Sequence, residues 1–272
     1  MTPLRVRAPA STANIGPGFD CAAIALDLWN ELEVSDGDGN PDLDHLGIRA
    51  FSRIASVDGK RFAFTDRIPR ERGLGSSAAV IALGLVAGAM ATQGRADPET
   101  LLAAGVALEG HADNLAAALT GGVCLTWGGR IARLADRPPA VPIALVPDAT
   151  VSTAAARAAL PATVAHVDAA FTAARATLLG AALSLGSPEL FAESLADRLH
   201  EPYRGADIPL LEAVRADLPA GALGVTVSGS GPTLIVWARS DAAPTCAEEL
   251  ERRYPDVIVS SFGASPLGAH AY

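Results

Sequence analysis

The sequence predicts an α+β protein built from two domains. Its 272 residues exceed what one compact core usually contains. Apolar residues recur at helical spacing in several segments, and short alternating runs typical of strands lie between them. A stretch that contains Pro138, Pro139 and Pro142 interrupts this pattern near the middle of the chain. We therefore expect an N-terminal domain at residues 1–137 and a C-terminal domain at residues 138–272.

Four elements are predicted at the start of the chain. They are strands at residues 4–8, 22–34 and 61–65 and a helix at residues 43–56. Between the first two strands we expect a long loop at residues 9–20, because it contains Gly16, Pro17 and Gly18.

Three helices are predicted in the next part of the chain. The longest covers residues 76–93, with Ser76 as its N-cap and Gly94 as the glycine that ends it. The second follows Asp97 and has Pro98 at its first position, where a missing N–H is tolerated. A short third helix, which ends at Leu119, and a strand, which ends at Trp127, follow.

The second half of the chain alternates strands and helices, which predicts a small open sheet backed by helices in the ferredoxin-like manner. The predicted strands cover residues 143–146, 223–227, 233–238 and 257–262. The predicted helices begin at Thr153, Pro161, Pro188 and Asp207, and a last helix covers residues 242–253.

Charge and hydropathy exclude two classes of protein. The net charge is −9 and Lys and Arg do not cluster, whereas DNA and RNA are bound mainly by cationic contacts, so no nucleic-acid partner is expected. The longest apolar run, residues 78–91, is shorter than the roughly 20 residues of a membrane span. The N-terminus lacks the apolar block of a signal peptide, and no membrane partner is expected.

Cysteine and lysine usage narrows the chemistry further. The three cysteines are scattered and form no CxxC pair, which favours a reducing cytoplasm over a disulfide framework or a zinc site. Lys60 is the only lysine and lies in a polar segment, so no other lysine can bind phosphate. The strings of a Walker phosphate loop, a zinc protease, a nucleophile elbow and a dinucleotide-binding turn are all absent.

A glycine-rich turn at residues 73–79 leads into the longest predicted helix. Such a turn presents free N–H groups and the positive end of the helix dipole, which together can hold a triphosphate. A Ser hydroxyl there can reach Mg²⁺. A capped helix whose small residues only permit close packing is an equally good interpretation of this segment by itself.

Two other segments contain similar small residues. The predicted loop at residues 9–20 offers Asn14 and Asp20 as polar groups, although by itself an ordinary strand connection explains it better. Residues 227–233 lie between two apolar strands and are too glycine-rich for a strand interior, so they form a tight turn or a second phosphate-binding loop.

These three loops, in this order, resemble the three motifs of the GHMP kinase superfamily. The resemblance implies a two-domain GHMP kinase fold, with an N-terminal ribosomal S5 domain 2-like domain and a ferredoxin-like C-terminal domain. It also implies ATP and Mg²⁺, with Ser77 and Glu109 as the metal ligands. The nucleotide-binding residues that it implies are Arg72, Gly73, Leu74, Gly75, Ser76, Ser77, Ala78, Ser228, Gly229 and Gly231.

Further motifs resemble the homoserine kinases of that superfamily. They are residues 109–114, Thr153 followed by Arg157, and residues 197–204, where Pro202 leaves Arg204 on an irregular segment. The resemblance implies L-homoserine as the substrate and, by family analogy alone, a homodimer. The implied substrate-binding residues are Asn14, Asp20, His111, Asp113, Thr153 and Arg204, and the implied catalytic residues are Asn114 and Arg157.

The residue types agree with these roles, because a zwitterionic substrate needs a carboxylate for its ammonium group and a guanidinium for its carboxylate. A surface ion pair is the commoner role of an arginine, and only the surrounding motif favours substrate binding. Phosphoryl transfer needs positioning and charge neutralisation more than a base. We expect Asn114 to orient the hydroxyl and Arg157 to stabilise developing charge, and Asp113 as a general base is the alternative.

Other functions are compatible with the same motifs. A kinase of this superfamily for another alcohol, such as threonine or mevalonate, is one alternative. A metabolite sensor of the same fold without catalysis is another, although a sensor has no need for the magnesium ligands Ser77 and Glu109. Residues 36–67 contain no motif from which the contacts to adenine can be assigned.

Overall fold

Two long strands, β1 (Leu4–Asn14) and β2 (Gly18–Asp36), form the centre of the first sheet in the computed structural model, which describes residues 3–272. Strand β3 (Lys60–Thr65) pairs with the far half of β2. The order across the rest of the sheet is β10 (His270–Ala271), β1, β2, β4 (Val123–Trp127) and β5 (Arg130–Ala135). Every pairing in this sheet is antiparallel.

The predicted loop at residues 9–20 is wrong for most of its length, because β1 continues to Asn14. Residues 8–14 are all buried, so this part of the strand shows none of the apolar and polar alternation that reveals a half-buried strand. Pro9 lies at a shift in register between β1 and β2, where a missing N–H is tolerated. The turn itself is confined to residues 15–17.

Four helices cover the first sheet. They are α1 (Leu46–Ser52), α2 (Ser76–Gln93), α3 (Pro98–Glu109) and α4 (Asp113–Thr120). Helices α2 and α4 pack directly on β1 and β2, whereas α1 and α3 pack on α2. The prediction of residues 76–93 as a buried helix is confirmed. Among the described helices, only α2 is long and apolar enough for a membrane span, and 67% of it is buried inside the protein.

Three details of the helix ends test the predicted caps. Gly94 ends α2 in the left-handed region, and the Asp97 carboxylate accepts the N–H of Thr100 at the start of α3, both as predicted. The predicted N-cap of α2 is wrong, since Gly75 occupies that position with φ 65°. The helix predicted at residues 43–56 is shorter, because Leu43 is exposed and the chain enters α1 only after His45.

The second sheet has the order β7 (Ala222–Val227), β8 (Leu234–Ala238), β6 (Val141–Val146) and β9 (Ile258–Ser260), again antiparallel. These strands occur where strands were predicted. Six helices accompany them: α5 (Thr153–Ala158), α6 (His166–Leu185), α7 (Pro188–Ser194), α8 (Glu201–Arg204), α9 (Pro209–Ala216) and α10 (Ala243–Arg253).

Two predicted helix starts in this half are wrong. The helix predicted from Pro161 begins at His166, because the β-branched residues that follow the proline do not favour a helix. The helix predicted from Asp207 begins at Pro209, after a 3₁₀ turn at residues 205–207. Strand β5 was not predicted, although Gly128 and Gly129, both with positive φ, form the hairpin turn that leads into it.

The apolar core is continuous between the two sheets. Its largest cluster includes Phe51 from the first half of the chain and Phe191 and Trp237 from the second. The phenylalanine and tryptophan of the second half meet edge to face, with ring centroids 5.1 Å apart. Strand β10 returns from the end of the chain to pair with β1. The division into domains at residue 137 stays a prediction.

Gly84→Ala should destabilise the protein, because helices α1 and α2 touch at this glycine. A Cβ at Gly84 would lie 2.0 Å from the carbonyl oxygen of Gly47. We expect the free energy of unfolding to fall by about 1–3 kcal/mol, the usual range for overpacking. Gly180→Ala in α6 is the matched control, since among the described residues no atom beyond its chain neighbours and its own helix backbone lies within 4 Å of its Cβ position.

The control should stabilise the fold by about 0.5–1 kcal/mol, because alanine is the better helix former. Urea denaturation of both variants measures the difference. Equal stability of the two variants would contradict the close packing of α1 on α2.

Candidate active site

The three glycine-containing segments meet at one cleft of about 250 Å³, where the two sheets adjoin. Residues far apart in the chain therefore come together at a single site. The predicted site residues that line the cleft are Asn14, Asp20, Gly73, Gly75, Ser76, Ser77, Glu109, His111, Asp113, Asn114, Thr153, Arg157, Arg204 and Gly229.

The turn before α2 has the geometry of an anion site. Gly73 and Gly75 adopt φ of 78° and 65°, in the left-handed region that glycine occupies without strain. The chain then enters α2 at Ser76, and the first N–H groups of this helix have no partner within the helix. Those groups, together with the helix dipole, can bind the phosphates of a nucleotide.

Residues 227–233, the third segment, contact the other two segments through hydrogen bonds to backbone carbonyl oxygens. The Ser228 hydroxyl donates to the carbonyl oxygen of Gly73 over 2.7 Å, and the N–H of Gly229 donates to that of Ala13 over 3.0 Å. The side-chain amide of Asn14 donates to the carbonyl oxygen of Gly229 over 2.7 Å. The segment therefore joins the turn after β1 to the turn before α2.

Ser77 and Glu109 lie together at the end of the cleft formed by residues 73–77, the phosphate end. The Ser77 hydroxyl donates to a carboxylate oxygen of Glu109 over 2.6 Å. Burial raises the pKa of Glu109, and this hydrogen bond opposes the shift. The pair offers two oxygen atoms, the ligand type that Mg²⁺ prefers. Within residues 3–272 no group of three or more His, Cys, Asp or Glu residues could hold a metal.

Asp20 and Arg157 form an ion pair at the opposite end of the cleft. Nη2 of Arg157 lies 2.8 and 3.0 Å from the two carboxylate oxygens of Asp20. Both side chains are 40% exposed, so solvent or a ligand can reach the pair. The buried Nε of Arg157 has no hydrogen-bond partner among the described residues. A carboxylate that entered the cleft could accept from this N–H.

Arg204 lies deeper in the same end of the cleft. Its Nη1 donates to the carbonyl oxygen of Gly229 over 3.0 Å, and its guanidinium carbon lies 4.9 Å from the centre of the Phe19 ring. Burial lowers the pKa of Arg204. Its Nε, like that of Arg157, is buried and has no partner within residues 3–272. The buried guanidinium of Arg204 and the partly exposed one of Arg157 each have a buried N–H without a partner among the described residues, and together they are suited to bind a carboxylate.

Asp113 and His111 contribute the remaining polar groups near Asp20. Asp113 is only 4% exposed, and its carboxylate accepts the N–H of Asn114 over 2.7 Å. Burial raises the pKa of Asp113, and the negative charge of Asp20 raises it further. A cationic group placed between Asp20 and Asp113 would remove this repulsion.

Arg204 is the last residue of the short helix α8, so the irregular segment predicted after Pro202 is wrong: the proline lies in the first turn of that helix, where its missing N–H is tolerated. Buried polar contacts hold this segment. The Asp197 carboxylate accepts the backbone N–H groups of residues 199–201. The His200 ring stacks on Phe19, with centroids 4.9 Å apart, and its Nε2 donates to the carbonyl oxygen of Gly16 over 2.7 Å. Because burial lowers the pKa of His200, the ring is neutral near pH 7.

Glu201 ties the same segment to the second sheet. Its Oε1 accepts the N–H of Val227 over 2.8 Å, and its Oε2 pairs with Arg215 over 2.5 Å. The side chain is 1% exposed, and burial raises its pKa to about 7 despite the nearby guanidinium. Val227 is the last residue of β7, directly before the third glycine-containing segment.

Some predicted nucleotide-binding residues lie behind the cleft instead of in its lining. The Arg72 guanidinium turns away and donates to the carbonyl oxygen of Pro147. Leu74 is 1% exposed and packs in the core. The other residues behind the lining are Ala78, Ser228 and Gly231. At these five positions the motif predicted the right loop, but it did not predict which of its side chains face the cleft.

Two features of the site, Glu71 and a second cleft, were not predicted from the sequence. Glu71, which has φ 56°, lines the cleft but was not predicted. It also lines a second cleft of about 320 Å³ that shares Ser76 and Ser77 with the first. Asn30 and His45 form the far side of this second cleft. The residues of the second cleft come from separate segments that share no motif. The only local feature that could have indicated this cleft is a histidine directly before an apolar helix.

Two family models match the chain. The model of the GHMP kinases N terminal domain matches residues 45–122, and that of the GHMP kinases C terminal matches residues 176–256. Together they cover more than half of the sequence.

Curated relatives and a solved structure give a finer comparison. The chain is 39% identical to the homoserine kinase of Gloeobacter violaceus, with 97% of each chain covered. It is 38% identical to that of Streptomyces coelicolor, with 88% of this chain and 86% of the relative covered. The crystal structure of homoserine kinase from Cytophaga hutchinsonii superposes with a TM-score of 0.84 at 27% identity, covering 100% of this chain and 98% of the other.

Glu201→Gln should remove a pH dependence of stability. A carboxyl group with a pKa of about 7 when folded and 4.5 when unfolded stabilises the fold most below pH 4.5, and this stabilisation is lost as the pH rises through 7. The loss amounts to about 3 kcal/mol. The glutamine keeps an acceptor for the Val227 N–H but cannot ionise.

Urea denaturation of both proteins between pH 4.5 and 8 measures the effect. The unfolding free energy of the wild type should fall relative to that of the variant across this range. A difference that does not change with pH would contradict a raised pKa at Glu201.

Proposed function

The chain belongs to the GHMP kinase family and, within it, to the homoserine kinases, and we propose that it phosphorylates the side-chain hydroxyl of L-homoserine with ATP. The product is O-phospho-L-homoserine, an intermediate of threonine biosynthesis. The observation that supports this substrate is one cleft with an anion-binding helix N-terminus at one end and a set of opposite charges at the other.

The zwitterionic substrate fits the charged end of the cleft. Its ammonium group would lie between the carboxylates of Asp20 and Asp113, whose mutual repulsion it relieves. Its carboxylate would accept from Arg157 and Arg204, each of which has a buried N–H without a partner among the described residues. In the complex the ion pair between Asp20 and Arg157 would be replaced by two others, in which Asp20 pairs with the ammonium group and Arg157 with the carboxylate of the substrate.

ATP fits the other end of the cleft and its neighbour. The phosphates would bind the N–H groups of residues 73–77, where the glycines permit a close approach. The second cleft continues from Ser76 and Ser77 and provides a volume of about 320 Å³ for the nucleoside. Its apolar Leu46 and Val80 and its polar Asn30 and His45 are a suitable lining for a purine.

Ser77 and Glu109 are the residues that would hold Mg²⁺. Their oxygen atoms already lie 2.6 Å apart beside the phosphate turn. Mg²⁺ commonly takes one or two protein ligands and completes its shell with phosphate oxygens and water. When bound, the ion neutralises charge on the phosphates. The metal would also favour an ionised Glu109, although burial raises the pKa of that carboxyl group.

Catalysis rests on positioning and charge in this proposal. The transition state of phosphoryl transfer is loose, so the attacking hydroxyl needs little deprotonation beforehand. Asn114 lines the cleft between the phosphate turn and the charged end and would orient the reacting groups. Arg157 would bind the substrate carboxylate, so its contribution to the charge that develops on the transferred phosphoryl group would act through its positive charge over a longer distance. Asp113 binds the ammonium group and is not required as a base.

Three further properties belong to the proposal. We expect the enzyme to act in the cytoplasm, where the unpaired Cys21, Cys124 and Cys246 would remain reduced. We expect a homodimer by analogy with the family. Nucleic acids and membranes are not expected as partners, given the net charge of −9.

Release of ADP by the purified protein with Mg²⁺ and ATP tests the function. L-homoserine should be turned over at least about 100-fold more efficiently than L-threonine, L-serine or mevalonate. Homoserinol, which lacks the carboxylate, should lose a similar factor in efficiency because the buried N–H groups of the two arginines would gain no carboxylate partner. Absence of ADP release with every alcohol, together with a higher melting temperature on adding homoserine, would favour a metabolite sensor instead.

Arg204→Ala should raise the KM for L-homoserine about 100-fold while the KM for ATP stays within a factor of three. Arg204→Lys keeps the charge but loses the forked donor and should recover only part of the effect. Arg252→Ala, at a 74% exposed side chain on α10, is the control and should behave as the wild type. An equal rise in both KM values would contradict a specific contact to the carboxylate.

Asp113→Asn separates ammonium binding from general base catalysis. If Asp113 binds the ammonium group, the KM for L-homoserine should rise about tenfold or more and kcat should fall by less than about tenfold. Steady-state kinetics at saturating ATP measure both constants. A fall in kcat of about 10³-fold with an unchanged KM would show that Asp113 is the base.

A further inference from the structure

Ser11 lies next to the cleft without lining it. Its side chain is fully buried in β1, three residues before Asn14, the last residue of that strand. Ser11 lies within residues 9–20 but was not among the predicted site residues, and it does not line the cleft in which the reaction would occur. Any effect of Ser11 on the reaction must therefore act through a neighbour.

That neighbour is Asn114. The Ser11 hydroxyl donates to Oδ1 of Asn114 over 2.8 Å, across 103 positions of the chain. The side-chain amide of asparagine has an acceptor end and a donor end. With Oδ1 turned toward Ser11, the other end of the amide, the NH₂ group, is free to face the cleft that Asn114 lines.

We propose that Ser11 is a positioning residue that holds the Asn114 side chain in place, with its NH₂ group toward the reacting groups. The inference rests on the proposed kinase reaction. The NH₂ group can donate to an oxygen of the transferred phosphoryl group or to the hydroxyl oxygen that attacks it. The reversed amide would present its carbonyl oxygen, which would repel the phosphoryl oxygens.

The surroundings of Ser11 hold it in one place. Its backbone N–H donates to the carbonyl oxygen of Leu74 over 3.1 Å, in the phosphate turn. A Cβ at Gly75 would lie 2.1 Å from the Ser11 hydroxyl oxygen and 3.0 Å from Oδ1 of Asn114. The hydroxyl therefore sits where β1, the start of α2 and the start of α4 meet. Ser11 thus links Asn114 on α4, through its hydroxyl, to the loop that would hold the phosphates, through its backbone N–H.

Ser11→Ala should lower kcat about 10- to 100-fold, because the Asn114 amide loses the hydrogen bond that holds it in place. The KM values for L-homoserine and ATP should each change by less than about threefold, since neither ligand touches Ser11. Ser11→Thr keeps the hydroxyl and should restore most of the turnover. A rise in KM with unchanged kcat would overturn the inference.

Ser265→Ala is the matched control. Ser265 is also a buried serine, 2% exposed, and its hydroxyl donates to the carbonyl oxygen of Leu267 over 2.9 Å, away from the cleft. It should lose stability without losing turnover. Melting temperatures of both variants show whether each protein is folded under the assay conditions.

A double-mutant cycle distinguishes positioning from a general loss of structure. In the background of Asn114→Ala, the additional change Ser11→Ala should alter kcat by less than about twofold, because Ser11 then has nothing to position. Independent, multiplicative effects of the two changes would overturn the inference.

The proposed function and this inference fail in different ways. An inactive wild type contradicts the function, whereas an active wild type with an unaffected Ser11→Ala variant contradicts the role of Ser11. Amide NMR gives a readout without turnover. The side-chain NH₂ signals of Asn114, assigned by their loss in Asn114→Ala, should shift and broaden in Ser11→Ala. Unchanged signals would also overturn the inference.

Discussion

Backbone contact between three small-residue segments is the constraint on which the site depends. A Cβ at Gly73 would lie 2.2 Å from the carbonyl oxygen of Ser228, so the phosphate turn can approach the third segment only as glycine. The third segment in turn accepts from Asn14 through Gly229. The start of α2, the turn after β1 and the end of β7 are thereby held together, and the cleft between them has one shape.

Buried charge is the second feature that the fold has to accommodate. Arg204 is 7% exposed and Asp113 4% exposed. Burial lowers the pKa of Arg204 and raises the pKa of Asp113, which in both cases favours the neutral form. A zwitterionic ligand would supply a partner of opposite charge to both, so its binding recovers part of the cost of desolvation. The stacked Phe19 and His200 rings and the Asp197 carboxylate keep Arg204 in place in the meantime.

Local patterns predicted elements correctly where one physical cause acts along a continuous segment. Helix α2 was predicted to the residue because Gly94 ends it and its interior is apolar throughout. The prediction failed for residues 9–20, because a strand buried on both faces does not alternate. It also failed for Arg72, whose motif position faces the phosphates in the resemblance but whose side chain turns to Pro147.

The sequence by itself determined the chemistry of the protein, because its glycines, its paired carboxylates and its arginines stand in motifs that are local in the chain. From those motifs came the phosphate turn and the candidate substrate ligands, whereas the apolar periodicity along the chain predicted an α+β protein with two domains. Only the tertiary structure decided which side chains face one another. The ion pair of Asp20 with Arg157, the hydrogen bond of Ser11 with Asn114 and the second cleft all join residues that are distant in sequence. Such contacts depend on how sheets and helices pack, and no pattern along a single segment records that.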